Sequence, residues 1–367
     1  EEFIAASMST TLTNTSKLRE YVEELKRLKV EVIRPSINNC FAEFKAETNK
    51  IFYGLGAIKS VGFIAISNII NEREENGKFK SFTDFINRVN PKDVNKLQLE
   101  GLVKAGAFDE IDPNRRKLVE SIPKIISTIK SKYDDKISNQ NNLFDGLSNK
   151  ENENFKFTTI EQWTSKELLA EEFKSLGFYI SDHPLNEYKE FFTQLEIMPY
   201  KNFINNDKNE ALIAGTIMSI QEKKSAKGSS FAIVKFSDNY SEFEIFLFSD
   251  LLSLNRDKLK ESNSFVLTLQ KEKTNIENGQ RRINIKKLVD LSDLVNKSYE
   301  SVSIELNDKR KLDELNNLLN KNGGTKISVI LKDNSKKYKF ELEQGRKFDF
   351  NLFSLIKNKE YVKKISF

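Results

Sequence analysis

Cysteine, histidine and tryptophan each occur only once in this chain. A lone Cys40 excludes an internal disulfide and suits a reducing, cytoplasmic compartment. A lone His183, with no cysteine or second histidine beside it, completes neither a metal set nor a nucleophile–base pair, so it reads as structural. Long apolar runs are missing too. The longest uncharged one, Val61 to Ile70, is too short to span a bilayer, and no membrane partner is expected. The chain opens Glu1-Glu2 with no basic segment of a secretory signal. It lacks an initiator methionine and starts in mid-pattern, which leads to the expectation of a fragment of something longer. Gly323-Gly324 is too short for a phosphate-cradling loop.

The remaining composition is that of a foldable, soluble chain: 38% hydrophobic and 31% charged, with 28 phenylalanines. A length of 367 residues exceeds what one core usually holds, which predicts about two to four domains. Lys+Arg is 59 against Asp+Glu 54, a net charge of +5. So mild a basic excess leaves any case for nucleic acid to local clusters.

Two stretches repeat a theme: Tyr53-Gly54-Leu55-Gly56-Ala57-Ile58-Lys59-Ser60-Val61-Gly62 and Gly101-Leu102-Val103-Lys104-Ala105-Gly106-Ala107-Phe108-Asp109. Each reads as a short helix, a tight turn ending in glycine, and a second helix. Gly62 suits a positive φ, and Ile64, Ile66, Ile69 and Ile70 fit one face of the helix that follows. A helix starting after such a turn points unspent N–H groups outward, a natural seat for phosphate. The candidates for duplex DNA are Lys59, Ser60, Val61 and Gly62 in the first turn. Lys96, Lys104, Ala105 and Gly106 are those at the second. The first turn resembles a helix-hairpin-helix motif, with Ser60 where glycine is usual. The competing reading is two ordinary helical hairpins with solvated lysines.

Around these turns, Leu18, Val22, Leu25 and Leu28 form a helical stripe, and Pro35 to Phe41 reads as a loop entering a strand. Ser81 caps a short helix with Asp84 three residues on. A helix from Val94 to Lys104 turns Leu97, Leu99, Leu102 and Val103 toward a core, and another runs from Asn114 to Ile129. From Ser131 to Phe157 the composition turns to Asn, Asp, Lys and Ser, as in an exposed linker. Leu143 and Phe144 stand out there, either as an anchor for a partner's pocket or tucked onto a neighbouring domain. Thr164 or Ser165 caps a helix over Leu168, Leu169, Phe173 and Leu176, with Gly177 at its left-handed end.

From Ala211 the apolar period becomes two. Strands are predicted at Ala211–Ile220, Ser230–Ser237, Ser241–Phe248, Ser264–Lys271 and Arg281–Val289, with a helix at Asp250–Lys260. Five strands with a helix after the third follow the order of an OB-fold barrel. Its first loop is basic (Lys223, Lys224, Lys227), Arg281 and Arg282 open the last strand, and Phe231, Phe243 and Phe246 lie on strands two and three. Charge for a backbone beside aromatic faces for bases suits single-stranded DNA. Alternation sends many of these rings inward, and the pattern does not say which. The last part alternates strand Val302–Leu306, helix Lys309–Leu319, strands Ile327–Leu331 and Tyr338–Leu342, and helix Asn351–Lys357, a small α/β domain.

Several of these segments, in order, resemble the C-terminal part of the bacterial replicative DNA polymerase III alpha subunits, the C-family polymerases. They are Gly54 to Gly62, Lys104 to Asp109 and Leu176-Gly177-Phe178-Tyr179-Ile180-Ser181-Asp182-His183-Pro184-Leu185, with Arg34 to Asn38 and Ala214 to Ile217 in lesser degree. The resemblance implies a multidomain α+β fold with a tandem helix-hairpin-helix domain, an OB-fold β-barrel and a small C-terminal α/β domain. Its expected limits are 1–49 (end of the fingers), 50–130 (tandem hairpins), 131–157 (linker), 158–205 (helical connector), 206–295 (OB-fold) and 296–367 (C-terminal domain). It implies a sliding-clamp peptide of the form Gln-x-x-Leu-Phe at Gln140, Leu143 and Phe144, and a last domain that docks the tau subunit of the clamp loader. Catalysis in the family is nucleotidyl transfer with Mg held by palm carboxylates upstream. No cofactor is therefore expected in this chain, and no activity from it alone. The competing classes are a stand-alone repair factor built from the same modules and a purely structural interaction module.

Overall fold

The computed structural model describes residues 1–137, 155, 157–225, 228–277, 280–319, 322–333 and 336–367. The chain forms two compact units, Glu1–Pro184 and Leu185–Phe367. The connector expected at 158–205 is thus divided between them.

In the first unit, α1 (Glu2–Ser9) and α2 (Thr15–Arg27) precede a small sheet of β1 (Glu31–Ile33), β2 (Lys45–Glu47) and β3 (Lys50–Phe52), in the order β1-β3-β2. Helices α3 (Phe63–Asn76), α4 (Phe82–Arg88), α5 (Lys96–Lys104), α6 (Arg115–Ile137) and α7 (Ser165–Leu176) follow. Leu18, Val22 and Leu25 bury the α2 stripe, while Leu28 falls past the helix end and is exposed. The predicted caps form. Ser81 accepts from the Asp84 N–H, Thr164 and Glu167 make a reciprocal capping box, and Gly177 ends α7 in the left-handed region. The core is dense in rings: Phe82, Phe85 and Phe108 meet pairwise at centroid distances of 4.9–5.6 Å. Asn38 is structural here, its side chain both donating to Phe79 O and accepting from Phe79 N at 2.8 Å. Arg73 is buried and donates to the carbonyls of Ile37 and Cys40. Helix α6 continues to Ile137, into the stretch expected to be linker.

The second unit begins with α8 (Lys189–Gln194) and α9 (Tyr200–Asn205). A five-stranded antiparallel sheet follows, with β4 (Glu210–Lys224), β5 (Ser230–Ser237), β6 (Glu242–Leu247), β7 (Ser264–Glu277) and β8 (Gln280–Asp290) in the order β6-β5-β4-β7-β8. Helix α10 (Ser249–Asn255) sits after the third of these strands, as predicted. The barrel itself differs from expectation: no ladder joins the edge strands β6 and β8 among the described residues, so the sheet is open. One of its faces buries Ile213, Val234, Phe236, Phe243, Ile245 and Leu267. The last part carries α11 (Leu291–Val295), β9 (Ser301–Leu306), α12 (Leu312–Leu318), β10 (Lys326–Asp333), β11 (Lys336–Glu341), α13 (Phe350–Lys357) and β12 (Val362–Ser366). These strands form a mixed sheet in the order β11-β10-β9-β12, with β9 and β10 parallel across α12. Strand β12 has no predicted counterpart. Its core also takes in Phe191 and Phe192 of α8 and the outer-facing Ala214 and Val266 of β4 and β7.

Candidate nucleic-acid interface

The first turn hangs from the small sheet. Leu55 and Gly56 donate to the carbonyls of Phe41 and Ala42 at 2.8 and 2.9 Å, and a short 3-10 turn, Leu55–Ala57, follows. Val61 N–H closes the next turn onto Ile58 O at 3.1 Å, and Lys59 N–H donates to Ser175 O at 3.0 Å. Ser60, not Gly62, takes the left-handed conformation, at φ +67°; Gly62 is extended at φ −75°. The expectation of a positive φ at Gly62 is corrected: the strain sits two residues earlier, on the position where the motif usually has glycine. From beneath, α5 supports the turn at Gly101, where a Cβ would stand 2.7 Å from Lys59 O.

Helix α3 starts directly after this turn. Gly62 provides no side-chain cap, and the first intrahelical bond is Ile66 N–H to Gly62 O at 3.0 Å. By helix geometry the amides of residues 63–65 have no partner within the helix, and they carry the positive end of the dipole. Lys59, Ser60 and Gly62 are exposed beside them, while Val61 is buried and anchors the turn. Ile64 departs from expectation: with Phe63 it lies exposed at the helix tip, while Ile66, Ile69 and Ile70 are buried. The Lys59 ammonium also leans over Gly177 at the C-terminus of α7, a favourable end for a cation.

A second hairpin joins α4 to α5 through Pro91–Asp93. Asn68 of α3 donates to Asp93 Oδ1 at 2.9 Å, which ties this loop to the first helix. Asn95 caps α5 by accepting from Gln98 N–H at 2.9 Å. Exposed Lys92, Lys96 and Leu97 surround that helix start, and Leu97 therefore does not face the core as its spacing predicts. Lys92 escapes a reading that looks only for glycine turns. Its signal is the Asn-Pro pair just ahead of it.

The turn at Ala105-Gly106 is a different object. It ends α5 instead of starting a helix, with Gly106 at φ +84°. Gly106 N–H donates to Val103 O and Ala107 N–H to Leu102 O, both at 3.0 Å, which uses these amides to cap the helix C-terminus. Arg115 then covers it, with two bonds to the Asp109 carboxylate (2.8 and 2.6 Å) and one to Lys104 O (2.9 Å). Ala105 is buried, and Lys104 pairs with Glu171 at 3.0 Å. Burial alone would raise Glu171, yet hydrogen bonds from Lys174 and Lys104 hold its carboxyl below the usual range. Ala105 and Gly106 are thereby corrected as phosphate contacts, since their amides are spent inside the protein, while the Lys104 ammonium is engaged by Glu171.

In the second unit, alternation decides the aromatics. Phe243 is buried, stacked on Tyr200 at 4.2 Å and beside Phe236 at 5.6 Å, in space left by the missing Cβ of Gly215. It has no face for a base, and that expectation is corrected. Phe231 is half-exposed on the opposite face, paired with Lys223, and its ring lies 6.4 Å from that of Phe246. Phe246 is 46% exposed and opposes Ile233. Lys223 and Lys224 belong to β4, not to a loop, and are exposed; Arg282 is exposed on β8. Arg281 is the second residue of β8, in register with Ile276, and the side chain of Arg281 lies outside the described residues. Lys227 and the clamp-peptide residues Gln140, Leu143 and Phe144 also lie outside them.

His183 packs edge-on against Tyr179 at 5.4 Å, and loss of water pushes its pKa down to about 4. Among the described residues, no group of three or more His, Cys, Asp or Glu side chains is placed to hold a metal ion. Nor is any helix among them long and apolar enough to cross a membrane.

Residues 29–118, which include both hairpins, match the family model of a helix-hairpin-helix motif. Over 93% of its length the chain is 31% identical to DNA polymerase III subunit alpha of Borreliella burgdorferi. The same subunit of Caulobacter vibrioides is 32% identical over 73% of the chain, and that of Buchnera aphidicola 32% over 86%. The chain spans 31%, 24% and 28% of the length of these relatives, respectively.

Proposed function

We propose that this chain, similar as it is to the C-terminal portion of DNA polymerase III subunit alpha, is a DNA-holding and tethering part of a replicative polymerase. The observation that carries the reading is the start of α3. Unspent helix amides open there beside exposed Lys59 and Ser60. Such a start binds a backbone phosphate without regard to sequence, which a polymerase sliding along DNA requires. The α5 start, with Lys92 and Lys96, offers a second contact, and two hairpins tied by Asn68 and Asp93 would follow one groove edge together. Similarity to polymerase subunits running through both units disfavours the repair-factor reading.

The open sheet is proposed as a variant of the OB-fold whose outer face, with Phe231, Phe246 and Lys223, takes single-stranded template. Gln140, Leu143 and Phe144 are proposed to bind the sliding clamp, and the last domain the tau subunit. Individually weak tethers suffice for this, because they act through effective concentration. Nucleotidyl transfer and its Mg are proposed to lie in sequence outside this chain, which alone would not polymerise.

The test is duplex affinity as a function of salt. About one unit of slope in log K against log salt is expected per phosphate held, and Lys59→Ala with Lys96→Ala should remove about two. A flat salt response would reject the grip. For the tether, binding to the cognate clamp should vanish in Leu143→Ala with Phe144→Ala.

A further inference from the structure

The last sheet ends at β11, and among the described residues no strand lies beyond it. Leu342 N–H donates to Ile327 O at 2.9 Å, which fixes how the antiparallel pair with β10 spends its backbone groups. By alternation Phe340 and Tyr338 exchange their bonds with Val329 and Leu331. The N–H and C=O groups of Lys337, Lys339 and Glu341 therefore point away from the sheet, an open row for another strand. The side chains beside this row divide by face. Tyr338 and Phe340 stand opposite Leu331 and Val329, which are buried in the core of the last domain. Residues directly opposite one another share a face of the sheet, so the core face runs on past its last covered strand. There it lies open: Tyr338 is 46% exposed and Phe340 51%. Half-buried Leu342 extends the same row. Lys337 and Lys339 are exposed on the other face, with Glu341 at its end.

Lysine on an edge strand is the ordinary guard against pairing, but two bare rings on the core face work against that guard. The occupant must suit both faces and the backbone row between them. A nucleic-acid strand does not, because the rings and the lysines lie on opposite sides of the sheet. A second copy of this chain does not either, since pairing β11 with itself sets lysine beside lysine. An extended peptide sends alternate side chains to the two faces and bonds the row with its own backbone. We propose that the β11 edge captures an extended segment of another protein by strand addition. That segment alternates apolar residues, which cover Tyr338 and Phe340, with acidic residues beside Lys337 and Lys339. The inference stands on the edge strand itself and not on the docking of tau, so a tau that binds elsewhere would leave it untouched.

The test uses the whole chain and a capped synthetic peptide of about eight residues that alternates valine with glutamate. At a peptide concentration about ten times Kd, amide exchange at Lys337, Lys339 and Glu341 should slow about tenfold by NMR. Phe340→Ala should weaken binding about fivefold, the effect of losing one good cross-strand pair. Lys339→Pro removes an outward N–H and no bond to β10, so it should abolish binding while the chain stays folded. Lys337→Glu with Lys339→Glu should move the preference to a valine–lysine peptide. Should Lys339→Pro fail to fold, exchange in the wild-type chain and the Phe340→Ala affinity decide. No binding at up to about 1 mM peptide, the weak end of peptide capture, would overturn the proposal. So would binding that leaves those three amides unprotected, which would show charge attraction without strand pairing, and so would wild-type affinity in a folded Lys339→Pro variant.

Discussion

The two glycine-ended turns of the first unit look alike as strings and differ completely as structures. At Lys59–Gly62 the chain enters a helix, so what is left over is a set of N–H groups facing out. At Ala105-Gly106 it leaves one, so what is left over is carbonyls, and the following amides turn back to satisfy them. Even the glycines exchange roles. Gly106 is left-handed and required, whereas Gly62 is extended and Ser60 carries the left-handed strain. A turn glycine therefore marks a change of direction but not which pole of a helix dipole it exposes, and only the N-terminal pole attracts phosphate.

Substitution at Gly106 should separate the two turns most strongly. A Cβ there would stand 2.2 Å from Arg115 Nη2 on a backbone at φ +84°. Gly106→Ala should destabilise the chain by about 3 kcal/mol in denaturant unfolding, chiefly by displacing the Arg115 cover. Gly101→Ala comes next. Its Cβ would press on Lys59 O, a backbone atom that cannot rotate away. A cost of about 2 kcal/mol is expected, together with weaker duplex binding because the turn proposed to hold DNA must shift. If Gly101→Ala lowers stability but leaves duplex affinity intact, the turn is not the contact. Lysines make a cleaner contrast. Lys59→Ala should cost about 1 kcal/mol of duplex affinity at low salt, whereas Lys104→Ala, which removes an ion pair with Glu171, should leave DNA affinity unchanged. Equal losses from both would erase the distinction. The smallest effect is Ser60→Gly. Relief of the left-handed strain is partly offset by a freer unfolded chain. A net gain of less than about 1 kcal/mol is expected, measurable as a small rise in melting temperature with duplex affinity kept.

The same contrast explains which features are legible in the amino-acid sequence alone. Strands β4 to β8 and the helix after the third were legible because alternation is a strong local signal. Ser230–Ser237 is recovered residue for residue. Which ring faces out was not legible, because Phe243 and Phe246 sit an odd number apart and alternation alone carries no phase. Register with buried Phe236 sets it, by pairing that ring with Phe243. Ile64 and Leu97 misled for a related reason: both fall in the first turn of a helix, where the apolar period has begun but the core has not yet been reached. Strand β12 was hidden by its two central lysines and its place at the edge of the last sheet. The amide-bearing start of α3 was found from sequence. The closure of the second turn was not, since Arg115, which covers it, is nine residues beyond Gly106 in a different helix.

Strands β4 and β7 also bind the second unit into a single piece. Their inner faces supply one core, and Ala214 and Val266 on the outer side belong to the other, beneath the last sheet. The strands are thus a party wall, finished on both sides. Cutting the chain after the five-stranded sheet would not release a free-standing module but would bare an apolar back, and the remnant should aggregate. The part proposed to face template and the part proposed to face the clamp loader then melt together, and a pull on one is felt as load on the other.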